Sequence, residues 1–339
     1  MSGYRIAVVG ATGLVGQTIL EVLDEHRVPV QSLVALAREG GGRTVQFGGQ
    51  PIAVEPLASM DWSRVDVAFF AAGNAVSEEY APQAALAGVT VIDKSSRFRM
   101  DPNVPLVVPE VNGDAIGTSR IIASPNCSTI QLVVALAPLA RRFGLERVIV
   151  STYQAVSGTG RDAVDELERQ TRQQAVGEVP EDPQVYPAVM AHNVLPYCDR
   201  FMDQDYTGEE WKLMRETSKI MGQPVRLSAT AVRVPVYVGH AESVYVETRD
   251  AWSLDDVRAV LREGRSVRLV DDPAHGVVPT PRDAAGTDDV WVGRIRADVH
   301  EPNGLHLFIV ADNLRRGAAT NAIEIMQHLA PRWDLGGAR

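Results

Sequence analysis

The chain has 339 residues, of which 45% are hydrophobic and 22% are charged. This composition is typical of globular proteins, and at about 150 residues per domain the length predicts two domains or one large doubly wound unit. Asp and Glu outnumber Lys and Arg by 43 to 33, and the resulting net charge of −10 opposes binding to nucleic acid. Two cysteines in the chain argue against a disulfide framework, and no stretch reaches the roughly 18 uncharged apolar residues of a membrane span. The N-terminus carries no secretion signal, so we expect a cytoplasmic protein.

The first 125 residues alternate between short apolar runs and segments with helical spacing. Four runs predict buried strands: residues 6–9, 32–37, 65–72 and 89–93. Two intervening segments predict helices: residues 14–23 and 77–87. Continuous apolar strands separated by helices are typical of a parallel sheet that is covered on both faces.

Beyond about residue 125 the pattern changes to longer elements. We predict a helix at 128–143 and an amphipathic last helix at about 316–329, which we expect to pack on the first domain. Extended runs predict five strands: residues 147–156, 226–236, 243–247, 290–299 and 305–310. Their polar and apolar alternation indicates a mostly antiparallel sheet with one exposed face. The longest irregular stretch, about residues 179–196, contains four prolines and is long enough for a binding loop or an interface segment.

A glycine motif lies between the first predicted strand and the first predicted helix. Its spacing is G-x-x-G-x-x-G, where glycine permits a tight turn, close approach of the backbone to a pyrophosphate, and close helix–strand packing. The helix N-terminus offers N–H groups and a positive dipole to phosphates. In this context a purely structural turn is the weaker alternative. We therefore predict a dinucleotide site whose loop residues are Gly10, Thr12, Gly13, Leu14, Val15 and Gly16.

The end of the second predicted strand bears on the choice of dinucleotide. An NAD site usually places Asp or Glu there for the ribose 2′-hydroxyl. Here Ala37 is followed by Arg38, and Arg43 lies across a glycine-rich loop. Guanidinium and backbone N–H groups suit a 2′-phosphate, so we expect NADP with Arg38 as a ligand. Glu39 opposes this assignment, and two solvated arginines in a loop remain the alternative.

Cys127 precedes an apolar predicted helix within the segment 124–129. The dipole at a helix N-terminus stabilises a thiolate and so favours a nucleophile near neutral pH. Taken alone, the position still favours a buried structural cysteine, because free cysteine packs as a small hydrophobe. Cys198 lies in a loop without such a feature and is assigned a structural role.

Eight motifs, spread in order over nearly the whole chain, resemble the aspartate-semialdehyde dehydrogenase family. Each is modest alone, but together they are highly specific. They are residues 10–16, 93–100, 107–112, 124–129, 151–158, 209–212, 233–236 with 239–240, and 312–315 with 317–319.

The resemblance implies an NADPH-dependent reductive dephosphorylation of L-aspartyl 4-phosphate to L-aspartate 4-semialdehyde in amino-acid biosynthesis. The thiolate of Cys127 would displace phosphate to form a thioester, and hydride would reduce the thioester to a thiohemiacetal that collapses to the aldehyde. Covalent catalysis would thus replace one difficult step with two easier ones. The implied partners are the small-molecule substrate, phosphate and a second copy of the chain, as a homodimer or a dimer of dimers. No metal site is assigned.

The resemblance also implies roles for other side chains. His240 matches the general acid/base, and Gln154 matches a polar group that holds the acyl intermediate. Arg233 matches the ligand of the substrate carboxylate, and Glu209 matches the ligand of the amine. The remaining matches are Lys212 and Arg99 to the phosphate, and Ser157, Gly158 and Asn321 to the cofactor.

The segment after Thr207 predicts a capped helix. Thr207 and Glu210 fit a capping box, which gives Glu210 a structural task. Glu209 and Lys212 are predicted on the outer side, where a surface ion pair is the alternative to substrate binding. The predicted core stripe consists of Trp211, Met214, Ser218 and Met221.

Arg233 and His240 have an odd spacing, which would place them on opposite faces of a regular strand. Pro235 and Gly239 lie between them, so we expect the chain to bend there.

Three positions depart from the family pattern. Lys94 stands where Asn is expected, Ala241 stands where Ser is usual, and residues 72–74 differ from a common glycine-rich turn. None of these departures removes a side chain with an implied catalytic role.

We therefore predict an α/β protein with a Rossmann-type dinucleotide-binding domain and an α+β catalytic and dimerisation domain. The first is placed at residues 1–125 and is completed by the C-terminal helix within 314–339, and the second is placed at 126–313. One alternative is an N-acetyl-γ-glutamyl-phosphate reductase, which Glu209 disfavours because an acetylated amine carries no charge. The other is a catalytically silent NADP-binding homologue, which the presence of Cys127, Gln154, Arg233 and His240 argues against.

Overall fold

The computed structural model describes residues 3–330. The chain divides into two compact units, the first comprising Met1–Asn126 with Ala318–Arg339 and the second comprising Cys127–Gly317. The part of the expected C-terminal segment from residue 331 to 339 lies outside the described residues. No helix between residues 3 and 330 combines the length and apolar character needed to cross a membrane.

The described residues form thirteen strands and nine α-helices. The strands are β1 (Tyr4–Val9), β2 (Val30–Ala37), β3 (Thr44–Phe47), β4 (Gln50–Pro56), β5 (Val67–Phe70), β6 (Thr90–Asp93), β7 (Ile121–Ala123), β8 (Leu145–Gln154), β9 (Leu227–Arg233), β10 (His240–Thr248), β11 (Val267–Leu269), β12 (Val290–Ala297) and β13 (Gly304–Ala311). The α-helices are α1 (Leu14–Glu25), α2 (Asn74–Leu86), α3 (Pro109–Asn112), α4 (Cys127–Phe143), α5 (Arg161–Ala175), α6 (Gly208–Met221), α7 (Leu254–Glu263), α8 (Pro281–Ala284) and α9 (Asn321–Leu329).

The first unit is a seven-stranded sheet in the order β3-β4-β2-β1-β5-β6-β7. All neighbouring pairs are parallel except the antiparallel β3–β4 pair at one edge. Every residue of β5 is buried, as a parallel strand covered on both faces requires. The helix α9 contributes Ile323, Met326 and Leu329 to the same core as α1 and β1.

The second unit is a six-stranded sheet in the order β11-β12-β13-β10-β8-β9. The three central pairs are antiparallel, whereas β8–β9 and β11–β12 are parallel. One face is covered by α4, whose residues from Ser128 to Ala137 are all buried. On the other face, Ile149 and Tyr153 of β8 remain 40% and 37% exposed. This alternation confirms the expected mostly antiparallel sheet with one open face.

The sequence patterns missed three short strands of the first unit, β3, β4 and β7. The hairpin β3–β4 turns at Gly48 and Gly49, both with positive φ, and its residues are mostly polar or exposed. A four-residue edge strand buries too little apolar surface to show period-two alternation clearly. The last predicted helix also differs, because a π-helical turn at Arg315–Thr320 precedes α9.

Candidate active site

Two of the three glycines in the loop of the first unit have a steric reason to be glycine. Gly10 adopts a φ of +86°, and a Cβ at this position would lie 2.6 Å from the carbonyl oxygen of Ala71. A Cβ at Gly16 would clash with the carbonyl oxygen of Gly10, so the first turn of α1 packs directly on the loop. At Gly13 the nearest atom to such a Cβ is 3.4 Å away, which is ordinary packing. Packing within the protein therefore does not require glycine at position 13.

The N-terminus of α1 is open to an anion. Gly13 is the N-cap residue and provides no side-chain hydrogen bond, and the first turn contains no acidic residue. The backbone N–H groups of Gly10 and Ala11 both donate to the carbonyl of Leu36, at 2.8 and 3.1 Å, which fixes the loop to β2. A dinucleotide pyrophosphate fits this arrangement of helix dipole and open backbone.

The loop after β2 separates the two arginines. Arg38 is exposed directly after the last residue of β2. Arg43 donates to the carbonyl oxygens of Gly40 and Glu39, so its guanidinium is bonded to the backbone of its own loop. Arg38 is thus the better placed of the two to contact a ligand.

Cys127 is the first residue of α4, one residue earlier than the predicted helix start. Its helix is 17 residues long, and Cys127 is partly exposed, whereas Cys198 is buried. Gly317 packs against it so closely that a Cβ there would lie 2.8 Å from the Cβ of Cys127. The thiol therefore sits at the positive end of a long helix dipole, as the sequence predicted.

The peptide unit of Ala155, immediately after β8, joins His240 to Arg233. The N–H of Ala155 donates to Nδ1 of His240 at 3.0 Å, and its carbonyl accepts a hydrogen bond of 2.7 Å from Nη1 of Arg233. Since a backbone N–H is always a donor, Nδ1 is the acceptor and the neutral ring carries its proton on Nε2. The chain does bend between Arg233 and His240, which belong to different strands, β9 and β10.

His240 is completely buried. Burial, reinforced by the positive charge of Arg233 and opposed by Glu209, lowers the pKa of His240 to about 3. Its Nε2 makes no hydrogen bond to any of the described residues. Gly158 lies next to this nitrogen, where a Cβ would come within 3.2 Å of both His240 Nε2 and Arg233 Nη1. A side chain at position 158 would therefore crowd both the Nε2–H of His240 and the guanidinium of Arg233, and glycine leaves these two groups uncovered on that side.

A polar chain connects Gln154 to Lys212. Nε2 of Gln154 donates to Oε1 of Glu209 at 3.0 Å and to Oγ1 of Thr152 at 3.2 Å. Oε2 of Glu209 accepts a bond of 3.2 Å from Lys212, whose Nζ also donates to Asp199 at 2.8 Å. Burial opposes the charge of Lys212, but Glu209 and Asp199 outweigh it and raise the pKa of the ammonium. This second unit thus brings together the expected acid, lysine and glutamine.

The capping box of α6 is present, but the predicted orientation of this helix is wrong. Thr207 Oγ1 accepts from the N–H of Glu210 at 3.3 Å, and Glu210 accepts from the N–H of Thr207 at 2.7 Å. Glu209 is only 6% exposed and lies on the buried side with Leu213. The residues predicted to face the core, Trp211, Met214, Ser218 and Met221, are only partly buried. Apolarity alone misled the prediction, because the inward face of α6 carries polar residues that bond within the site.

The expected residues of the first unit form their own network. Arg99 is 7% exposed and donates through Nη2 to the carbonyl of Lys94 at 2.7 Å. The Nζ of Lys94 donates to Ser124 Oγ at 3.2 Å and to the carbonyl of Pro125 at 3.0 Å. Nδ2 of Asn321 donates to Ser124 Oγ at 2.8 Å and to the carbonyl of Val107 at 3.1 Å. Lys94, the departure from the family pattern, thus bonds the segment that leads into Cys127.

Sequence reasoning assigned no role to Asn313, which the structure places beside expected site residues. Its Oδ1 accepts from the N–H of Gly239 at 2.8 Å, and its Nδ2 donates to Ser157 Oγ at 2.9 Å. Asn313 therefore ties the residue before His240 to the turn that contains Ser157 and Gly158. The one sequence feature that could have indicated a role for Asn313 is its position within the motif at residues 312–315.

Two family models match the chain. Residues 5–119 match the model described as semialdehyde dehydrogenase, NAD binding domain, and residues 136–316 match semialdehyde dehydrogenase, dimerisation domain. A protein of Aquifex aeolicus named aspartate-semialdehyde dehydrogenase is 47% identical over 334 residues, covering 96% of this chain and 98% of that protein. One of the same name from Legionella pneumophila is 49% identical over 331 residues, covering 96% and 95%.

Solved structures agree with these matches. Aspartate semialdehyde dehydrogenase II of Vibrio cholerae, complexed with ASA, is 44% identical, has a TM-score of 0.95 and covers 98% of this chain and 100% of that one. Aspartate semialdehyde dehydrogenase with NADP from Candida albicans is 26% identical, has a TM-score of 0.75 and covers 97% and 99%. On these matches and the site geometry, the chain belongs to the aspartate-semialdehyde dehydrogenase family.

Proposed function

We propose that the protein catalyses the NADPH-dependent reductive dephosphorylation of L-aspartyl 4-phosphate to L-aspartate 4-semialdehyde. Membership of the family makes it an oxidoreductase that acts on an aldehyde with a nicotinamide dinucleotide. The observation that carries the proposal is that the bonded pairs His240–Ala155–Arg233 and Glu209–Lys212 belong to the same compact unit as Cys127, which begins the long helix α4.

Cys127 is the nucleophile of the proposed reaction. The thiolate attacks the acyl carbon, the carbon–oxygen bond to phosphate breaks, and a thioester forms on sulfur with release of phosphate. The N-terminus of α4 favours the thiolate electrostatically. NADPH, when bound, supplies the hydride that reduces the thioester.

His240 acts through Nε2, because Ala155 occupies Nδ1. The neutral ring presents the N–H of Nε2 to the thioester oxygen and stabilises, by hydrogen bonding, the negative charge that develops there during reduction. The low pKa of His240 keeps the ring neutral throughout the physiological range. Nε2 is therefore the nitrogen through which His240 takes part in the proposed chemistry.

The charged groups match the substrate. Arg233 is 7% exposed and uses Nη1 on Ala155, while its Nε is buried without a partner among the described residues. Its planar guanidinium suits the α-carboxylate. Glu209 offers a buried carboxylate for the free amine, and Lys212 supplies positive charge for the phosphate. Arg99 keeps its assignment as a phosphate ligand. Gln154, bonded to Glu209, holds the acyl intermediate.

NADP is the proposed dinucleotide. Arg38 is exposed at the end of β2, where no acidic residue follows directly to accept a ribose 2′-hydroxyl. The open N-terminus of α1 suits the pyrophosphate. Oδ1 of Asn321 is buried without a hydrogen-bond partner among residues 3–330, which suits an acceptor for the carboxamide of the nicotinamide. Ser157 and Gly158 are assigned to the same cofactor.

A homodimer is proposed for the assembly, with a dimer of dimers as the larger alternative, in the cytoplasm. The open face of the second sheet exposes Ile149 and Tyr153, and Tyr153 stacks on Phe308 with ring centroids 6.4 Å apart. An apolar, aromatic sheet face of this kind is suited to burial against a second copy. Light scattering after size exclusion tests this, and Tyr153→Asp should shift the mass to that of a monomer.

The test of the activity is run in the reverse direction. L-Aspartate 4-semialdehyde, NADP and phosphate should give NADPH, and Cys127→Ala should abolish its formation. Trapping of an acyl adduct on Cys127 by mass spectrometry would locate the intermediate. Activity only with N-acetyl-glutamate semialdehyde would replace the proposal by the acylated-substrate reductase, and no activity with either would support a silent homologue.

A further inference from the structure

Glu242 is a buried acid that the proposed chemistry does not use. It is the third residue of β10, two residues after His240 and therefore on the same face of the strand. It is 0% exposed, and neither carboxyl oxygen makes a hydrogen bond to any residue the structure describes. Such a group needs an explanation, because a buried ionised carboxylate without partners is very costly.

The groups that strand pairing and α4 place next to Glu242 among the described residues are uncharged. Thr152 of β8 and Ile309 of β13 lie opposite it in the sheet. From α4, the side-chain amide of Gln131 lies beside the carboxyl group, and on β10 itself His240 is neutral. Burial raises the pKa of Glu242 well above its usual value, and Gln131 lowers it by less. These surroundings favour the protonated acid.

Gln131 offers the acceptor that a protonated acid requires. Its Nε2 donates to the carbonyl oxygen of His240 at 3.4 Å, which sets the orientation of the amide. Its Oε1 is buried and makes no hydrogen bond within the described chain. One O–H on Glu242 would therefore satisfy two otherwise unpaired groups at once.

Gln131 also relates the base to the nucleophile. It lies four residues after Cys127, which places both on one side of α4. Its bond to His240 joins that side of the helix to the first residue of β10. A group that orients Gln131 therefore acts on the hydrogen bond that links α4 to His240.

We propose that Glu242 is held as a neutral carboxylic acid whose O–H donates to Oε1 of Gln131, and that this pair positions His240 against the start of α4. Glu242 is a positioning residue, since it acts on His240 through Gln131. The inference rests on the proposed function for its kinetic readout only.

Infrared difference spectroscopy tests the protonation state independently of activity. The spectrum of the wild-type protein minus Glu242→Gln at neutral pH should show the carbonyl stretch of a protonated carboxyl group. A carboxylate band in its place would overturn the proposal, whether or not the protein has the proposed activity.

Kinetics test the positioning role. Glu242→Gln retains a donor and should stay within about twofold of wild-type kcat, whereas Glu242→Leu should lower kcat about tenfold with little change in the substrate KM. Gln131→Leu should have the same effect, and the double variant should be no worse than either single variant. If the losses of kcat in the two single variants add up in the double variant, Glu242 and Gln131 do not act through the same interaction.

A matched control distinguishes positioning from loss of stability. Val244 lies two residues further along the same face of β10 and is 1% exposed. Val244→Ala should lower Tm but leave kcat and the pH dependence of Cys127 alkylation unchanged. Glu242→Leu should change the pH dependence of Cys127 alkylation. If the rate of alkylation depends on pH as in the wild-type protein, the positioning role is contradicted. If Glu242→Leu does not fold, the infrared spectrum still tests the protonation state of Glu242. The positioning role is then tested with Glu242→Asp, whose shorter side chain should lower kcat.

Discussion

The backbone N–H of Ala155 donates to Nδ1 of His240 across a distance of 3.0 Å. This single bond assigns the ring proton to Nε2 and fixes the plane of the imidazole. The same peptide accepts a hydrogen bond from Arg233, so His240 and the proposed carboxylate ligand share one rigid support at the end of β8.

Because the imidazole of His240 is buried and neutral, we expect the protein to lose stability in acid. An unfolded histidine has a pKa near 6.5, whereas that of His240 is lowered to about 3. Between these values the unfolded state binds more protons, so the free energy of unfolding decreases as pH falls through 6.5, by about 2 kcal/mol between pH 7 and pH 5. Urea unfolding at pH 7 and at pH 5 measures this decrease in the free energy of unfolding. His240→Asn should remove this part of the pH dependence, and the exposed His192→Asn should retain it; equal slopes in all three proteins would contradict the prediction.

Gly158→Ala should damage the site without unfolding the protein. The new methyl group would lie 3.2 Å from His240 Nε2 and Arg233 Nη1, so one or both must move. We expect kcat/KM to fall at least about tenfold. Steady-state kinetics with Tm measured in parallel provide the check. Thr159→Ala, which removes an exposed hydrogen bond to Tyr186, is the control and should retain activity. Full activity in Gly158→Ala would show that the space beside His240 is not used.

Substitutions of the adjacent acids Glu209 and Glu210 should have different effects, the first on substrate binding and the second on the stability of the fold. Glu209 bonds Gln154 and Lys212, so Glu209→Gln should raise the substrate KM by about tenfold or more with little loss of stability. Glu210 caps α6 and also accepts from the N–H of Ala231 at 2.9 Å, so Glu210→Ala should cost about 1 to 3 kcal/mol of unfolding free energy. Kinetics and urea unfolding of both variants are needed. The assignment fails if the two substitutions have interchangeable effects.

The two arginines after β2 should differ in their effect on the cofactor. Arg38→Ala should raise the KM for NADPH about tenfold or more and leave the KM for NADH nearly unchanged, because the lost cation serves only the 2′-phosphate. Arg43→Ala is the matched control, since Arg43 bonds the backbone of its own loop. It should have a smaller effect on both constants. A native preference for NADH would defeat the assignment of NADP.

Local patterns predicted the elements that bury continuous apolar surface. Strands β1, β5 and β6 and the helices α1 and α4 were located within a few residues, because their apolar runs and glycine turn are local signals. The hairpin β3–β4 was missed because β3 is a short edge strand and the residues of both strands are mostly polar or exposed. The π-helical turn before α9 was missed because its backbone geometry has no periodic signature.

The sequence by itself determined the site's chemical inventory: a glycine loop before a helix, a cysteine at a helix start, and the acid, arginine and histidine that the family resemblance indicated. It did not reveal that Glu209 faces inward, that Ala155 selects the histidine tautomer, or that Glu242 and Gln131 lie together beside His240. Those relationships join residues from 55 to more than 100 positions apart, such as Gln154 with Glu209 and Gln131 with His240. The pairing of β8 with β10 and the packing of α4 and α6 decide them, because hydrogen bonding depends on distance in space and not on separation along the chain.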